Sequence, residues 1–295
     1  MDNLMNTFNF IEPDEILSVT IRGKKYPVKK SGQGIPCLFI CLGTPSFRTI
    51  SKNFSKHFTI YSSDVYWINE NCLENPESVT IDTIIDDIKL LADALNLKKY
   101  ILFGHSAYGI IALEFAKKYP DAAAGILMIG TPINSNANVA EINNKIFENT
   151  ADQNRKEIDK ERREHFKKED LIGLSQEESW IKAYIYRDAP RYWHIPTFDC
   201  SKLWEGIHVD KLLTHLFEKV LPKINVLEGL NKIKIPVFLA AGISDFDCCP
   251  WMWKDIPHLP QNFIISIFDK SGHWPHYEQV DLFDQRVIEW TSTIC

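Results

Sequence analysis

The sequence predicts an α/β fold, in which a mostly parallel sheet carries helices on both faces and is interrupted by an inserted helical cap. First, short apolar runs that suit buried strands alternate with segments of helical spacing near both ends of the 295-residue chain. Second, this alternation stops after Pro132 and resumes near residue 235, a gap far longer than an ordinary loop. The predicted domains are therefore a core of residues 1–133 and 232–295 and a helical cap of residues 134–231.

Each element of the predicted core follows from a local pattern. Alternating apolar and polar side chains, interrupted by Gly23-Lys24, predict a hairpin over residues 15–30. Continuous apolar runs predict strands buried on both faces at residues 35–42, 58–62, 100–103, 124–129, 235–241 and 262–268. Apolar residues at helical spacing predict helices at residues 80–95, 110–118 and 280–291. Strands and helices therefore alternate, as they do when crossover helices join parallel strands.

The composition favours a globular protein and argues against several function classes. Hydrophobic residues make up 45% of the chain, aromatic residues 12% and charged residues 24%, which supplies a sizeable core without disulfides or metal. The 33 basic and 39 acidic residues give a net charge of −6, the opposite of the balance that nucleic-acid binding needs. No window approaches the roughly 20 apolar residues of a membrane helix, so we expect no membrane span.

Cellular location and partners are predicted from the same residues. Acidic residues interrupt the N-terminal segment, which lacks the basic start and apolar stretch of a secretory signal. The seven cysteines, including the Cys248-Cys249 pair, form no CxxC motif with zinc spacing, which is typical of reduced thiols. We therefore expect a cytoplasmic protein without metal or other cofactor that acts on a small-molecule substrate, and a homodimer is left open.

The first segment with chemical information is residues 100–109, YILFGHSAYG. A buried strand leads into a turn of small residues that carries Ser106, and a helix follows at once. A nucleophile elbow requires this context, because the turn lifts the hydroxyl above the sheet and places it at a helix N-terminus. Gly104 and Gly109 leave room where strand and helix approach closely. A serine that merely caps the helix has the same pattern, so this segment alone leaves both interpretations open.

A serine hydroxyl becomes a good nucleophile only when a base accepts its proton and an acid orients that base. Both residue types follow late strands, with Asp245 after the predicted strand 235–241 and His273 after the predicted strand 262–268. The carboxyl ends of parallel strands meet at one edge of a sheet, where sites in open α/β sheets form. The order Ser106, Asp245, His273 therefore predicts a Ser-His-Asp triad.

On these motifs the chain resembles the α/β-hydrolase superfamily, in particular its capped serine-hydrolase branch, near the proline iminopeptidases and small esterases. The matching text is CLGTP, GHSAYG, PVFLAAGISD and SGHWP, and the likeness covers nearly the whole chain outside the predicted cap. The resemblance implies the α/β-hydrolase sheet, with Ser106 as nucleophile, His273 as base and Asp245 as the orienting acid. It also implies an oxyanion hole from the backbone N–H groups of Thr44 and Ala107, which would stabilise the charge of a tetrahedral intermediate.

The chain departs from the family pattern at two positions. Leu42 stands where the family has a histidine before the oxyanion-loop glycine, so the hydrogen bonds that steady this loop must come from elsewhere. Tyr108 stands two residues after the serine, where glycine is usual, and Gly109 follows it. Neither change removes a catalytic atom, but both bear on the shape of the acyl pocket. The serine itself argues against haloalkane dehalogenase and epoxide hydrolase chemistry, which uses an aspartate nucleophile.

Neighbouring residues compete for the same roles. Asp247 lies two residues after Asp245 and is the alternative acid, and we favour Asp245 because it lies nearer the strand end. His276 is expected at the surface, at the start of the last helix. His105 is expected to pack or to orient other groups, because successive side chains on a sharp turn diverge.

The predicted cap supplies the candidate substrate pocket. Its residues 139–170 are almost wholly polar and predict solvated helices. The aromatic residues that follow suit the apolar underside of a cap, and they are Trp180, Tyr184, Tyr186, Tyr192, Trp193, Phe198 and Trp204. The candidate substrate-binding residues are Trp193, His194, Trp204 and Trp274. We expect an enclosed and largely apolar site.

The sequence thus predicts a serine hydrolase that cleaves a carboxylic ester of a small or medium substrate through an acyl-enzyme. A proline-iminopeptidase-like aminopeptidase, or another acyl or carbon–carbon hydrolase, is the alternative within the same chemistry. An aminopeptidase needs acids that hold the substrate amine, and Glu205 beside Trp204 is the candidate. The alternative of another class is a receptor-like protein of the same fold that binds a ligand with little turnover.

Overall fold

The computed structural model describes residues 11–40, 46–63, 76–134, 137–167, 171–207 and 211–294. Eight strands lie within these ranges: β1 Glu15–Ile21, β2 Lys24–Ser31, β3 Ile35–Phe39, β4 Phe58–Ser62, β5 Ile101–His105, β6 Gly125–Ile129, β7 Val237–Gly242 and β8 Phe263–Phe268. They form one sheet in the order β1-β2-β4-β3-β5-β6-β7-β8. β2 pairs antiparallel with β1 and β4, and the other neighbouring pairs are parallel. The predicted mostly parallel α/β fold is confirmed.

The β1–β2 hairpin shows how the local sequence sets a turn. Ile21 pairs with Lys24, so Arg22 and Gly23 form the connection, and their φ angles are 50° and 80°. Positive φ at both central positions is typical of a type I′ turn, whose twist matches that of the flanking strands. Glycine adopts this conformation without the steric cost that other residues incur.

The helices fall into two groups. Six of the described helices belong to the parts of the chain that form the sheet: α1 Phe54–His57, α2 Ile81–Ala94, α3 Tyr108–Lys118, α10 Trp251–Lys254, α11 Pro275–Glu278 and α12 Val280–Thr291. Between β6 and β7 lie α4 Ala137–Thr150, α5 Gln153–His165, α6 Gln176–Lys182, α7 Ala189–Tyr192, α8 Ser201–Trp204 and α9 Lys211–His215, with π-helical turns at Ala183–Arg187 and Leu216–Val220. Single 3₁₀ turns occur at Pro76–Ser78, Leu221–Lys223 and Leu230–Lys232. We call residues 134–231 the insertion, and none of its described residues forms a strand.

The central strands carry the core. Every residue of β5, β6 and β7 is buried, as expected for parallel strands that are covered on both faces. Helix α2 buries Ile84, Ile88 and Leu91, which recur at helical spacing, and a capping box between Thr80 and Thr83 closes its N-terminus. Each buried Ile or Leu side chain contributes about 1.5–3 kcal/mol, so this core fixes the strand ends that carry the site.

Several hydrogen bonds attach the insertion to the rest of the fold, and two of these attachments lie at the ends of α7 and α8. At the end of α7, the carbonyl oxygen of Tyr192 accepts a hydrogen bond of 2.6 Å from the backbone N–H of His273. At the end of α8, the Arg48 guanidinium donates to the carbonyl oxygens of Leu203 at 3.0 Å and Glu205 at 2.7 Å. The first contact ties the insertion directly to the loop that carries the predicted catalytic histidine.

A buried arginine stabilises the first of these attachments from the side of the insertion. Arg155 of α5 is 4% exposed, and its guanidinium donates to the carbonyl oxygens of Pro190, Trp193 and His194 at 2.5–2.7 Å. Hydrogen bonds from a charged donor are stronger than neutral ones. The backbone of residues 190–194 is therefore held in one conformation against the sheet.

Element boundaries differ slightly from those predicted. β5 continues through His105, and α3 begins at Tyr108, because the helix starts directly after the turn at Ser106 and Ala107 already has helical φ and ψ. None of the described helices has the length and apolar character that crossing a membrane requires.

Candidate active site

Ser106 occupies a strained turn between β5 and α3. Its φ is +58°, a value that non-glycine residues seldom adopt and that often marks a functional position. A Cβ added at Gly104 would lie 2.6 Å from the Tyr108 carbonyl oxygen, and one added at Gly109 would lie 2.0 Å from Thr131 Oγ1. Both glycines are therefore required for the close approach of strand and helix that the sequence predicted.

The backbone around Ser106 is fixed by neighbouring strands. The Ser106 N–H donates to the Ile129 carbonyl oxygen at the end of β6 at 2.7 Å. Ala107 lies directly before α3, where backbone N–H groups have no acceptor within the helix. This position suits a donor toward an anionic oxygen. The predicted second donor, Thr44, and the departure at Leu42 lie outside the described residues.

Asp245 and His273 form a buried pair at the ends of β7 and β8. Asp245 Oδ2 lies 2.7 Å from His273 Nδ1, and the two residues are 1% and 2% exposed. The other carboxylate oxygen, Oδ1, accepts from the backbone N–H groups of Asp247 at 3.1 Å and Cys248 at 2.8 Å. These bonds hold the carboxylate in the orientation that keeps the proton of the imidazole on Nδ1 and leaves Nε2 as the basic atom.

The pair also sets the charge state of the imidazole. Burial by itself would lower the pKa of His273, but the charge of Asp245 and the hydrogen bond to it raise that pKa above its ordinary value of 6.5. A carboxylate beside an imidazole stabilises the imidazolium form. The imidazole of His273 is therefore a stronger base than an isolated one.

Glu278 holds the loop that carries His273, a role that no sequence pattern indicates. Its Oε1 accepts from the backbone N–H groups of Gly272 at 2.7 Å and Trp274 at 3.4 Å, and its Oε2 accepts from the N–H of His194 at 2.7 Å. One carboxylate thus binds the backbone on both sides of His273 and the insertion backbone. An acid five residues after a histidine has no distinctive spacing, so only the folded structure identifies it.

A cavity of about 240 Å³ opens above Ser106 and His273. Rings from the insertion form much of its wall, as the sequence predicted for the underside of a cap: Trp180, Tyr184, Tyr192, Trp204 and Phe217. Trp274, Ala107, Cys248 and Asp247 line it from the side of the sheet. Such a mostly apolar space with a few polar groups is typical of a small-molecule site.

The four candidate substrate-binding residues occupy different places. Trp204 and Trp274 line the cavity. Trp193 is fully buried and stacks on Trp274, with ring centroids 5.8 Å apart, so it supports the wall from behind. His194 Nδ1 lies 3.0 Å from Ser244 Oγ, and His194 is not among the described lining residues.

Two histidines next to the pair are structural. His105 is buried, and its Nε2 lies 3.0 Å from the His273 carbonyl oxygen, which agrees with its predicted orienting role. The prediction that His276 lies on the surface is wrong: it is 2% exposed and its Nε2 lies 3.1 Å from Thr49 Oγ1. The short helix α11 turns His276 back toward the sheet, beneath Trp274, with ring centroids 5.5 Å apart.

Cys248 completes the immediate surroundings of the serine. Its thiol interacts with the Ser106 hydroxyl, and no hydrogen bond joins that hydroxyl to His273 among the described side chains. Such bonds often form only when a substrate aligns the groups.

Side-chain atoms of Asp245, Cys248 and His273 that could ligate a metal ion lie within 4.8 Å of one another. Burial, then the charges of Asp245 and Asp247, raises the pKa of Cys248 well above 9.0, so its sulfur stays protonated and is a poor metal ligand.

Comparison with known proteins agrees with this geometry. A family model described as the alpha/beta hydrolase fold matches residues 40–173, a range that contains Ser106. The AB hydrolase superfamily protein YclE of Bacillus subtilis is 25% identical over 222 residues, which are 72% of this chain and 76% of that protein. A proline iminopeptidase of Lactobacillus helveticus is 21% identical over 231 residues, 74% of each protein.

Solved structures give the same fold. An alpha/beta fold family hydrolase from Bacillus anthracis superimposes with a TM-score of 0.69 at 20% sequence identity, and the match covers 93% of this chain and 98% of that one. At this level of identity the likeness concerns the arrangement of strands and helices, while the chemistry depends on the side chains described above.

Proposed function

Because the chain belongs to the α/β-hydrolase superfamily, we propose that it is a serine hydrolase that cleaves a carboxylic ester of a small or medium substrate. In this proposal Ser106 is the nucleophile, His273 is the general base and Asp245 orients and stabilises the imidazole. The buried Asp245–His273 pair, at 2.7 Å and beside the same cavity as the strained Ser106, is the observation that carries it.

The mechanism follows from what each group can exchange. His273 Nε2 accepts the proton of Ser106 as the hydroxyl oxygen attacks the ester carbonyl carbon. The Ala107 N–H, with that of Thr44 as the predicted partner, stabilises the negative charge on the carbonyl oxygen. His273 then protonates the departing alcohol, and the acyl group stays on Ser106. Water, deprotonated by the same imidazole, attacks the acyl-enzyme and releases the acid.

The insertion fits the role of a cap over this chemistry. Its rings cover the serine and exclude water, which strengthens electrostatic interactions at the reacting atoms. The cavity of about 240 Å³ limits the enclosed part of the substrate to a small or medium group. We therefore retain residues 134–231 as the proposed cap.

Labelling with a fluorophosphonate tests the nucleophile. We expect stoichiometric labelling of the wild-type protein and none of Ser106→Ala, because only an activated serine attacks the phosphorus. Intact-protein mass spectrometry measures the adduct, and Ser292→Ala, which removes an exposed serine hydroxyl, serves as the matched control. A folded wild-type protein that takes no label would contradict the proposal and favour the receptor-like alternative.

An aminopeptidase is the second candidate, because proline iminopeptidases are among the relatives. The acid predicted for that role, Glu205, is exposed and is not among the described lining residues. Rates on p-nitrophenyl esters and on amino-acid p-nitroanilides separate the two activities. Faster hydrolysis of the anilides would replace the esterase assignment by the aminopeptidase one.

A further inference from the structure

We propose that Asp247 binds a positively charged group of the substrate, so that the preferred substrates are esters or amides that carry an ammonium group. This inference rests on the proposed function, since it names the substrate class of the same site. It begins from Asp247, which the sequence analysis considered only as an alternative member of the triad.

The geometry leaves Asp247 available for this role. His273 Nδ1 is bonded to Asp245 at 2.7 Å, so Asp247 does not orient the base. Its own backbone is fixed, because its N–H donates to Asp245 Oδ1 at 3.1 Å and its carbonyl oxygen accepts from Asn143 Nδ2. The side chain itself is exposed where it lines the cavity. A fixed backbone with an accessible carboxylate is a preorganised binding group.

The carboxylate lies close to the serine. Asp247 Oδ2 is 4.0 Å from Cys248 Sγ, and the Cys248 thiol interacts with the Ser106 hydroxyl. The Cys248 side chain thus lies between the Asp247 carboxylate and the Ser106 hydroxyl. A small substrate attacked by Ser106 therefore spans the distance to Asp247 with only a few bonds.

The charge balance of the cavity favours a cation. Among the described lining residues, Asp247 is the one acid, and none is lysine or arginine. No described lysine or arginine forms an ion pair with Asp247 elsewhere. Desolvation by the surrounding protein has the largest effect on the Asp247 carboxyl group, and the charge of Asp245 has the next largest. Both raise the pKa of Asp247 above the ordinary carboxyl range. A bound cation would stabilise the ionised carboxylate and so offset both effects.

The rings beside Asp247 suit the same ligand. Tyr192 lines the cavity with Asp247, and its hydroxyl is hydrogen-bonded to the carboxylate. The Tyr184 ring is tilted against Tyr192 and edge-on to Trp204, with centroid distances of 4.5 and 4.9 Å. Aromatic faces attract ammonium groups, most strongly when water is excluded. The carboxylate and the rings together form a cation site beside the nucleophile.

Two arginines lie near this site without a described ion pair to Asp247. A second cavity, of about 360 Å³, meets the first at Tyr192 and Asp247 and contains Arg163 and Arg191. Both arginines are already paired with Asp159, at 2.9 Å and 3.0 Å. Arg163 is also paired with Asp188, at 3.1 Å, so both guanidinium groups are directed to other carboxylates and neither forms a described ion pair with Asp247.

Two pairs of esters that differ only in charge test the inference. Butyrylcholine is compared with 3,3-dimethylbutyl butyrate, and p-nitrophenyl 4-(trimethylammonio)butanoate with p-nitrophenyl 5,5-dimethylhexanoate, since each pair places the charge on one side of the ester. We expect kcat/KM of the wild-type protein to be about tenfold or more higher for the charged member of at least one pair, a factor equal to about 1.4 kcal/mol. Asp247→Asn is expected to reduce that ratio to within about twofold of unity.

The ratio of charged to neutral substrate cancels any general loss of activity in the variant. Asp121→Asn is the matched control, because it makes the same change at an exposed acid outside the described cavity wall, and it is expected to keep the wild-type ratio. A wild-type ratio of one or less in both pairs, or a ratio that Asp247→Asn leaves unchanged, would overturn the inference.

Binding gives a readout that does not depend on turnover. Calorimetry with Ser106→Ala is expected to show tighter binding of butyrylcholine than of 3,3-dimethylbutyl butyrate, and this comparison stands even if Asp247→Asn fails to fold. If neither ester is hydrolysed but the charged one binds, the proposed function fails and the cation site stands. If both are hydrolysed at equal rates and bind equally, the function stands and the cation site fails.

Discussion

His273 shows how two opposing effects decide the behaviour of a single side chain. Burial disfavours the imidazolium, whereas Asp245 at 2.7 Å favours it, and the net result is a pKa above 6.5. His105 and His276 are buried beside it without a carboxylate partner among the described residues, and burial lowers the pKa of both. The carboxylate of Asp245 therefore accounts for the difference between His273, whose pKa is raised, and His105 and His276, which stay neutral and pack.

The pKa of His273 predicts the pH dependence of the reaction. The base must be neutral, so kcat/KM for an ester is expected to rise with pH and to reach half its maximum above pH 6.5. Asp245→Asn removes the charge that raises this pKa. The acidic limb should then move to lower pH while the maximal rate falls about 10³- to 10⁴-fold. A pH–rate profile of both proteins measures the two effects, and an acidic limb at the same pH in the variant would contradict the assignment.

The sequence pattern indicates the proposed catalytic residues, but it does not indicate the residues that support them. Ser106, Asp245 and His273 follow apolar strands directly, and a position after a strand can be read from the chain. Glu278 and Arg155 act through backbone groups that are near them only after folding. His276 was misplaced because its surroundings come from Thr49 and Trp274, whose proximity no local pattern encodes.

At the scale of elements, the short helix α11 serves as a support for the histidine loop. Its last residue, Glu278, reaches back to the N–H groups of Gly272 and Trp274 and across to that of His194. Burial raises the pKa of Glu278 to about 7 although the three N–H donors oppose this shift. A neutral amide would spare the cost of burying a charge but would keep only one of the two acceptor oxygens.

Substitutions of Glu278 separate this support from general packing. Glu278→Ala leaves buried N–H donors without an acceptor and is expected to reduce the free energy of unfolding by about 2 kcal/mol or more. kcat should fall with little change in KM, because the cavity wall is retained. Glu278→Gln keeps one acceptor oxygen, for Gly272 and Trp274 or for His194 but not for both sides, and should recover part of both properties. Urea unfolding and ester kinetics measure them, and equal defects in the two variants would rule out this role.

The pattern of elements was predictable because β5, β6 and β7 are buried throughout, which produces continuous apolar runs, and α2 buries residues at helical spacing. The insertion was predictable only as a gap in that pattern. Its internal arrangement depends on polar contacts such as those of Arg155, which join residues 35 to 39 positions apart. No periodicity reports such contacts.

For the whole molecule, the buried neutral histidines predict loss of stability in acid. The pKa of His276 is lowered to about 3 and that of His105 lies well below 6.5, so below pH 6.5 the unfolded chain binds protons that the folded one does not. Each such histidine reduces the free energy of unfolding by up to about 1.4 kcal/mol per pH unit as the pH falls.

A variant isolates this contribution from that of the carboxyl groups. His276→Gln keeps a polar group next to Thr49 and removes one titrating site. Urea unfolding between pH 6.5 and pH 4 is expected to show a shallower loss of stability in the variant than in the wild-type protein. Identical slopes would mean that His276 is protonated in the folded state.

Two of the attachments of the insertion differ in what an opening of the cavity would disturb. Residues 190–194 are hydrogen-bonded to the backbone of His273 and to the buried guanidinium of Arg155. An outward movement of these residues would therefore displace His273. The contact at Arg48 is made by one partly exposed side chain to carbonyl oxygens, and it can break and re-form without disturbing Asp245 or His273. An opening at the Arg48 end would therefore leave the Asp245–His273 pair in place, whereas an opening at residues 190–194 would not.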